Sequence, residues 1–329
     1  MKRYISLPAL TMYYDVEFVP ISSIDTGDST FRITTGKNLQ VISRSIRSVG
    51  LLNPPMVAPA GSKYRIIFGF KRIEACREIG LEEIPVRMCR SGMSELDYAK
   101  SAILDNSGQR ELNLVEVARS VRLLYGFADT RNPLPDLVDG LGLPFSNALI
   151  LDQILKINHM TAAMQEGIIS GRISLPMALE LTELEGDSGD IVSEIFQSLN
   201  LSLNKQREIL ALVKEIALRE DKTLPEVLNG RDVVDMLFHG DWDKGQRTRE
   251  LRKLLRKKRY PEISRFECVF EGYLKSLRLS GGAGLIPPRD FEGNTYTLQF
   301  PFRNMRELEN CRAVLEKILR HPETKSILE

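Results

Sequence analysis

Along the first hundred residues, short apolar runs alternate with amphipathic helical patterns. Apolar positions in residues 16 to 24 predict a strand, and Leu39, Ile42, Ile46 and Val49 recur at helical spacing on one face of a helix closed by Gly50. Pro54-Pro55 imposes an extended turn into a strand at 56–58. Residues 64 to 68 predict the next strand, Phe70 to Gly80 a helix, and residues 84 to 88 another strand. Ser94 is the N-cap of a helix carrying Leu96, Ala99, Ile103 and Leu104.

Past residue 112 the pattern becomes helical with short loops. Leu114, Val117, Val121 and Leu124 mark one helix, and Leu137, Val138 and Leu141 mark a second, ended by Gly142. A third begins near Phe145 and runs to about 158, giving the outline of a helix-turn-helix. Shorter helices are expected at 160–170 and 176–184, then a long one at 201–218 and a short one at 224–228. Residues 244 to 259 form a helix ended by Pro261. A helix at 266–277, a loop at 281–288, a strand at 296–302 and a helix at 305–319 follow; Leu308, Cys311, Leu315 and Ile318 share one face of the last. The expected fold class is α+β, in four parts: an α/β domain over 1–112, a helical domain over 113–200, a helical region over 201–260 and a small α+β unit over 261–329.

Composition changes this picture only locally. The 329 residues carry a net charge of +1, so any attraction to an anionic partner is confined to a segment. That segment is 244–259, with nine cations against the single acid Glu250. A charge run is often a solvated face, but so dense an excess repels itself unless something anionic answers it. The expectation is therefore nucleic acid or an acidic surface, with Arg249, Arg252, Lys253, Arg256 and Lys257 as contacts. Four scattered cysteines without a Cys-x-x-Cys pair read as reduced thiols of a cytoplasmic protein. Three histidines without ligand spacing argue against a metal site, and no apolar run has the length of a membrane span.

Candidate chemistry concentrates at Phe68-Gly69-Phe70-Lys71-Arg72. Gly69 can take the backbone angles of a tight strand-to-helix turn. The free amides of the first helical turn, with Lys71 and Arg72 beside them, could cradle a phosphate. An ordinary turn with two solvated cations is the other reading, and these residues alone leave both open.

The order of motifs resembles the ParB family of partition proteins. It runs Ile21-x-x-Ile24; Ser45-Ile46-x-x-x-Gly50-Leu51-Leu52-x-Pro54-Pro55; Tyr64-x-Ile66-Ile67-x-Gly69-x-x-Arg72-x-x-Ala75; Ile84-Pro85-Val86; and Leu112-Asn113-x-x-Glu116-x-Ala118. Gly171-x-Ile173-Ser174 extends the similarity to about residue 185. The resemblance implies CTP as ligand, with Mg2+ when it is bound, and a clamp that closes on DNA. It places Arg32, Gly69, Lys71, Arg72 and Asn106 at the nucleotide and makes Asp105 the candidate catalytic carboxylate. Phe70, Glu74 and Gln109 depart from the family's pattern, and Glu74 sets a negative charge where a cation helps hold phosphate. These departures weigh against turnover, and no cysteine nucleophile follows Gly69.

The resemblance further implies DNA contacts from Ser146, Asn147 and Gln153, a homodimer held by the C-terminal unit, a partner ATPase and a nucleoid-associated location. Three functions stay open on the residues: a partition-type DNA-binding protein, a slow CTPase or phosphate-transfer enzyme using Asp105 with Arg72, and a transcriptional adaptor whose nucleotide pocket has degenerated.

Overall fold

The structure, a computed structural model, describes residues 15–36, 38–90, 92–127, 140–143, 148–280, 282–291 and 293–328. The chain divides into two compact units, Met1–Glu185 and Gly186–Glu329. The expected boundary after 112 falls inside the first unit, that after 200 lies a short way past the division, and that after 260 falls inside the second.

The first unit opens with β1 (Val16–Pro20), β2 (Ile24–Asp25), α1 (Gln40–Val49), β3 (Met56–Ala60), β4 (Lys63–Phe68), α2 (Phe70–Ile79), β5 (Glu83–Met88) and α3 (Glu95–Ser107). The single strand expected over 16–24 is two. A 3-10 turn at Ile21–Ser23 separates them, and there the Ile21 amide bonds to the Glu82 carbonyl at 2.8 Å. The five strands lie in the order β1-β5-β3-β4-β2. β1–β5 and β3–β4 are antiparallel, whereas β3–β5 and β2–β4 are parallel, so the sheet is mixed and the class is α+β. Val57, Ile66, Ile67, Ile84 and Val86 are fully buried in its core.

Both ends of α2 follow from glycines. Gly69 (φ +90°) turns the chain out of β4, and Gly80 (φ +83°) ends the helix in the left-handed conformation. Cys76 on this helix is fully buried, and burial pushes its thiol pKa up, as suits a packed apolar residue. Ser94 caps α3 in a reciprocal box with Asp97.

Four more helices complete this unit: α4 (Leu114–Phe127), α5 (Ala148–Lys156), α6 (Ala162–Ile169) and α7 (Leu175–Thr182). α4 buries Val117, Val121 and Leu124 of the spacing read from the sequence, while Leu114, at the start of the helix, is exposed. Of the expected helix-turn-helix, Leu137, Val138 and residues 144–147 lie outside the described residues. Gly142 (φ +67°) and α5 lie within them.

The second unit holds α8 (Ser188–Leu199), α9 (Leu203–Glu220), α10 (Leu224–Leu228), α11 (Arg231–Leu237), α12 (Lys244–Arg259), α13 (Pro261–Leu277), β6 (Gly284–Ile286), β7 (Thr297–Gln299), α14 (Met305–Arg320) and α15 (Thr324–Leu328). Pro261 ends α12, as expected, but it also starts α13 five residues before the anticipated 266. Proline lacks the N–H that α12 would need, yet it suits the first turn of a new helix. The loop expected at 281–288 contains β6, which pairs antiparallel with β7. Phe270, Tyr273, Leu277, Leu285 and Ile318 form a small core that joins α13, β6 and α14. Among the described residues no helix is long and apolar enough to cross a membrane.

Candidate nucleotide-phosphate and nucleic-acid site

At the Gly69 turn, the Arg72 and Ile73 amides bond back to the Gly69 carbonyl at 2.9 and 3.1 Å. The amides of Phe70 and Lys71 precede that pattern and belong to the group a helix start leaves for an external acceptor. Nothing larger than glycine fits at position 69, where a Cβ would stand 2.6 Å from Pro55 Cβ. A cavity of about 180 Å³ opens there, lined by Gly69, Lys71, Arg72, Asp105 and Asn106 among others.

Four of the five expected nucleotide residues meet at this cavity, together with Asp105. Arg32 does not line it. Arg72 turns inward and grips both Asp105 oxygens at 3.0 and 3.2 Å, with a further bond to the Asn53 carbonyl at 3.3 Å. Gln109 also donates to Asp105, at 3.2 Å. Asn106 ties one N–H of its side-chain amide back to the Ala102 carbonyl at 2.8 Å, which leaves its oxygen and its second N–H for a ligand.

Arg32 forms a two-point pair with Glu74 and lies 5.7 Å from the centre of the Phe70 ring. Glu74 thus neutralises Arg32, the guanidinium that the resemblance places at the nucleotide. Among the described residues Lys71 makes no ion pair, so it supplies the cavity's uncancelled positive charge. Its ammonium lies over the Gly36 backbone. The residues present fit one phosphate group. A cavity below the roughly 300 Å³ usual for small-molecule sites fits a whole nucleotide only if the pocket opens.

Sequence reasoning missed Glu116 as a binding hub. It is 1% exposed and takes both guanidinium nitrogens of Arg110, at 2.7 and 2.8 Å. It also accepts from the amides of Thr35 (2.9 Å) and Asn113 (3.2 Å). Burial alone would raise its carboxyl pKa; the Arg110 hydrogen bonds and those two amides overcome this and hold it below its ordinary 4.5. The signal was present in Asn113-x-x-Glu116, a reciprocal helix-start pair in which the Asn113 oxygen accepts from the Glu116 amide at 3.0 Å. The result ties the loop at Thr35, the end of α3 and the start of α4 together.

For nucleic acid, Ser146 and Asn147 lie outside the described residues. On α5, Leu151 and Ile154 are buried, while Gln153 and Lys156 face solvent. The helix is therefore amphipathic, with a polar face of its own.

The charge on α12 needs a correction. The expectation of an external anion rested on cations without partners, but acids of the same unit answer most of them. Arg252 pairs with Glu208 (2.7 Å), Arg256 with Glu267 (3.3 Å), Lys258 with Asp232 (2.7 Å), Arg259 with Glu215 (2.5 Å) and Lys253 with Glu250 (2.9 Å). Asp232 shows the consequence. Burial would raise its pKa, but the Lys258 hydrogen bond and charge bring it below its ordinary value. Arg249 and Lys257 are exposed and, among the described residues, unpaired. Among the described residues no cluster of His, Cys, Asp or Glu could hold a metal by itself.

Comparison with known proteins adds to this geometry. Residues 11–107 match the profile of the ParB N-terminal domain. A probable chromosome-partitioning protein ParB of Coxiella burnetii is 28% identical over 173 residues, which cover 52% of this chain and 57% of that protein. A probable plasmid-partitioning protein ParB of Deinococcus radiodurans is 24% identical over 230 residues, covering 61% and 75%. The chain thus spans little more than half the length of the first of these relatives. Among solved structures, a C-terminally truncated chromosome-partitioning protein ParB from Caulobacter crescentus, complexed with CTP-gamma-S, is 19% identical. It covers 55% of this chain and 92% of its own, with a TM-score of 0.27, too low for its geometry to be carried over.

Proposed function

From the premise that residues 11–107 carry the ParB N-terminal domain, we propose that this chain is a DNA-binding protein of the partition type, gated by CTP at the Gly69 turn. The observation that carries the reading is the cavity itself. Gly69, Phe70, Lys71 and an inward-turned Arg72 line a space large enough for one phosphate group. Mg2+, where CTP is bound, would be held by Asp105 together with phosphate oxygens.

Phosphate entering this cavity competes with Asp105 for Arg72. Asp105 lies on α3, and α3 leads through Arg110 to Glu116 at the start of α4. Occupancy therefore acts on the helices that carry Gln153 and Lys156. Gating requires that the two arrangements differ in nucleotide affinity. DNA contacts come from α5 and the residues before it, with Arg249, Lys253 and Lys257 of α12 adding phosphate contacts. Arg252 and Arg256 serve first as internal ion-pair partners. A homodimer, a partner ATPase and a nucleoid-associated place in the cytoplasm belong to the same reading and rest on the family resemblance.

The test is DNA binding measured across salt, with and without CTP, for the wild type, Arg72→Ala and a charge-reversed 244–259 segment. CTP is expected to change DNA retention in the wild type and not in Arg72→Ala, and the reversed segment to flatten the salt dependence. Absence of DNA binding by the wild type rejects the reading. The Arg32–Glu74 pair favours one rival, an adaptor with a degenerate pocket, which retains DNA binding without any response to CTP. A CTPase would release phosphate in a way that Asp105→Ala abolishes.

A further inference from the structure

A second and larger hollow in the first unit contains Arg32, which the family resemblance places at the nucleotide, but none of the other residues of that reading. Its volume is about 670 Å³ and its walls carry three guanidinium groups, Arg32 beside the sheet and Arg119 and Arg122 on α4, with Asn158 and Gln165 opposite. It shares only Thr34 with the cavity at the Gly69 turn. Glu74 is its one lining carboxylate among the described residues, and both Glu74 oxygens are already bound to Arg32.

Arg119 is held in place by neutral acceptors: the Ile33 and Thr34 carbonyls at 3.4 and 3.3 Å and the Gln165 oxygen at 3.5 Å. Burial lowers its pKa; the Glu116 charge opposes that shift, and the like charges of Arg122 and Arg32 add to it. Arg122 is exposed and, among the described residues, has no carboxylate partner. Three converging cations with one carboxylate between them form an anion-deficient recess.

We propose that this recess is a second binding site, for a small phosphorylated molecule of nucleotide size. The planar forks of Arg119 and Arg122 suit the oxygens of a phosphate group, and the volume lies within the range of small-molecule pockets. Concavity decides against a nucleic-acid strand, because half-buried Arg119 is reached only by a ligand that enters the hollow. Such a ligand would bridge α4, α6 and the loop at Thr34. The site does not depend on CTP binding at Arg72.

Inorganic pyrophosphate is the probe, with calorimetry and thermal unfolding of the full chain as readouts. Pyrophosphate is expected to bind the wild type and raise its melting temperature. Arg122→Glu should weaken binding by about tenfold or more, since it replaces a charge-assisted contact with repulsion. Exposed and unpaired, Arg122 should tolerate that change with an unaltered melting temperature in the absence of ligand. Arg122→Lys should retain part of the affinity, and Arg72→Ala all of it. The proposal is overturned if the wild type does not bind pyrophosphate, if Arg122→Glu binds it equally well, or if Arg72→Ala abolishes it and so assigns binding to the Gly69 cavity. A loss of duplex-DNA affinity in Arg122→Glu without loss of pyrophosphate binding would instead make this arginine a DNA contact and reject the small-molecule site.

Discussion

At the scale of single residues, charge placement decides what the N-terminal domain can hold. Glu116 is a buried carboxylate with its oxygens satisfied by Arg110 and two amides. Replacing it with Gln leaves the half-exposed Arg110 guanidinium without its counter-charge and should cost about 1–2 kcal/mol in urea unfolding. Its folded pKa lies below the ordinary 4.5, so its contribution is full above that value and is lost as pH falls through the folded pKa. Wild-type stability should therefore decline on acidification below about pH 4.5, and the Gln variant should show a flatter acid limb. Glu74 works in the opposite sense for ligand binding. Glu74→Gln frees Arg32, which the proposed nucleotide reading uses although neither residue lines the Gly69 cavity, so CTP affinity, read by calorimetry, should rise about tenfold. An unchanged affinity would mean that Arg32 never reaches the nucleotide.

At the scale of elements, the β4–Gly69–α2 turn is the part most sensitive to one atom. Gly69→Ala adds a Cβ at φ +90° and within 2.9 Å of Pro55 Cα. It should destabilise the protein by about 1–3 kcal/mol in thermal unfolding, because both strain and a backbone clash must be relieved. On α12, the pairs to Glu208, Glu215, Asp232 and Glu267 fix the helix against its own unit, while Lys244, Arg249 and Lys257 are exposed and, among the described residues, make no ion pair. Arg249→Ala/Lys257→Ala should flatten the log–log salt slope of DNA binding by about one to two while leaving stability nearly unchanged. Breaking Arg252–Glu208 should do the reverse.

At the scale of the whole molecule, the chain consists of two units, and the proposed dimer contact falls in the second. α14 buries Ile318, but Leu308 and Leu315 remain 39% and 38% exposed and Leu319 69%. A second copy covering this face would account for that exposure, since an exposed apolar stripe on a helix favours burial against a partner. Leu308→Asp/Leu315→Asp should shift the sedimentation mass of the full chain from dimer to monomer and leave CTP binding unaffected. A wild type that is already monomeric at micromolar concentration would remove dimerisation from the reading.

Local features were settled by the sequence alone. The glycine-bounded helix after β4, the Ser94 cap, the buried stripe of α4 and the bounds of α12 all depend on residues within a few positions of one another, where spacing and backbone preference suffice. What the folded chain decided is which charges meet. Glu74 finds Arg32 across 42 residues, Asp105 finds Arg72 across 33, and Glu208 finds Arg252 across 44. A run of nine cations looked unanswered because four of the five acids that pair with it lie on other helices, and a cationic phosphate motif looked open because Asp105 arrives from α3. Electrostatic energy depends on distance in space, and residue spacing along a chain fixes that distance only within one element.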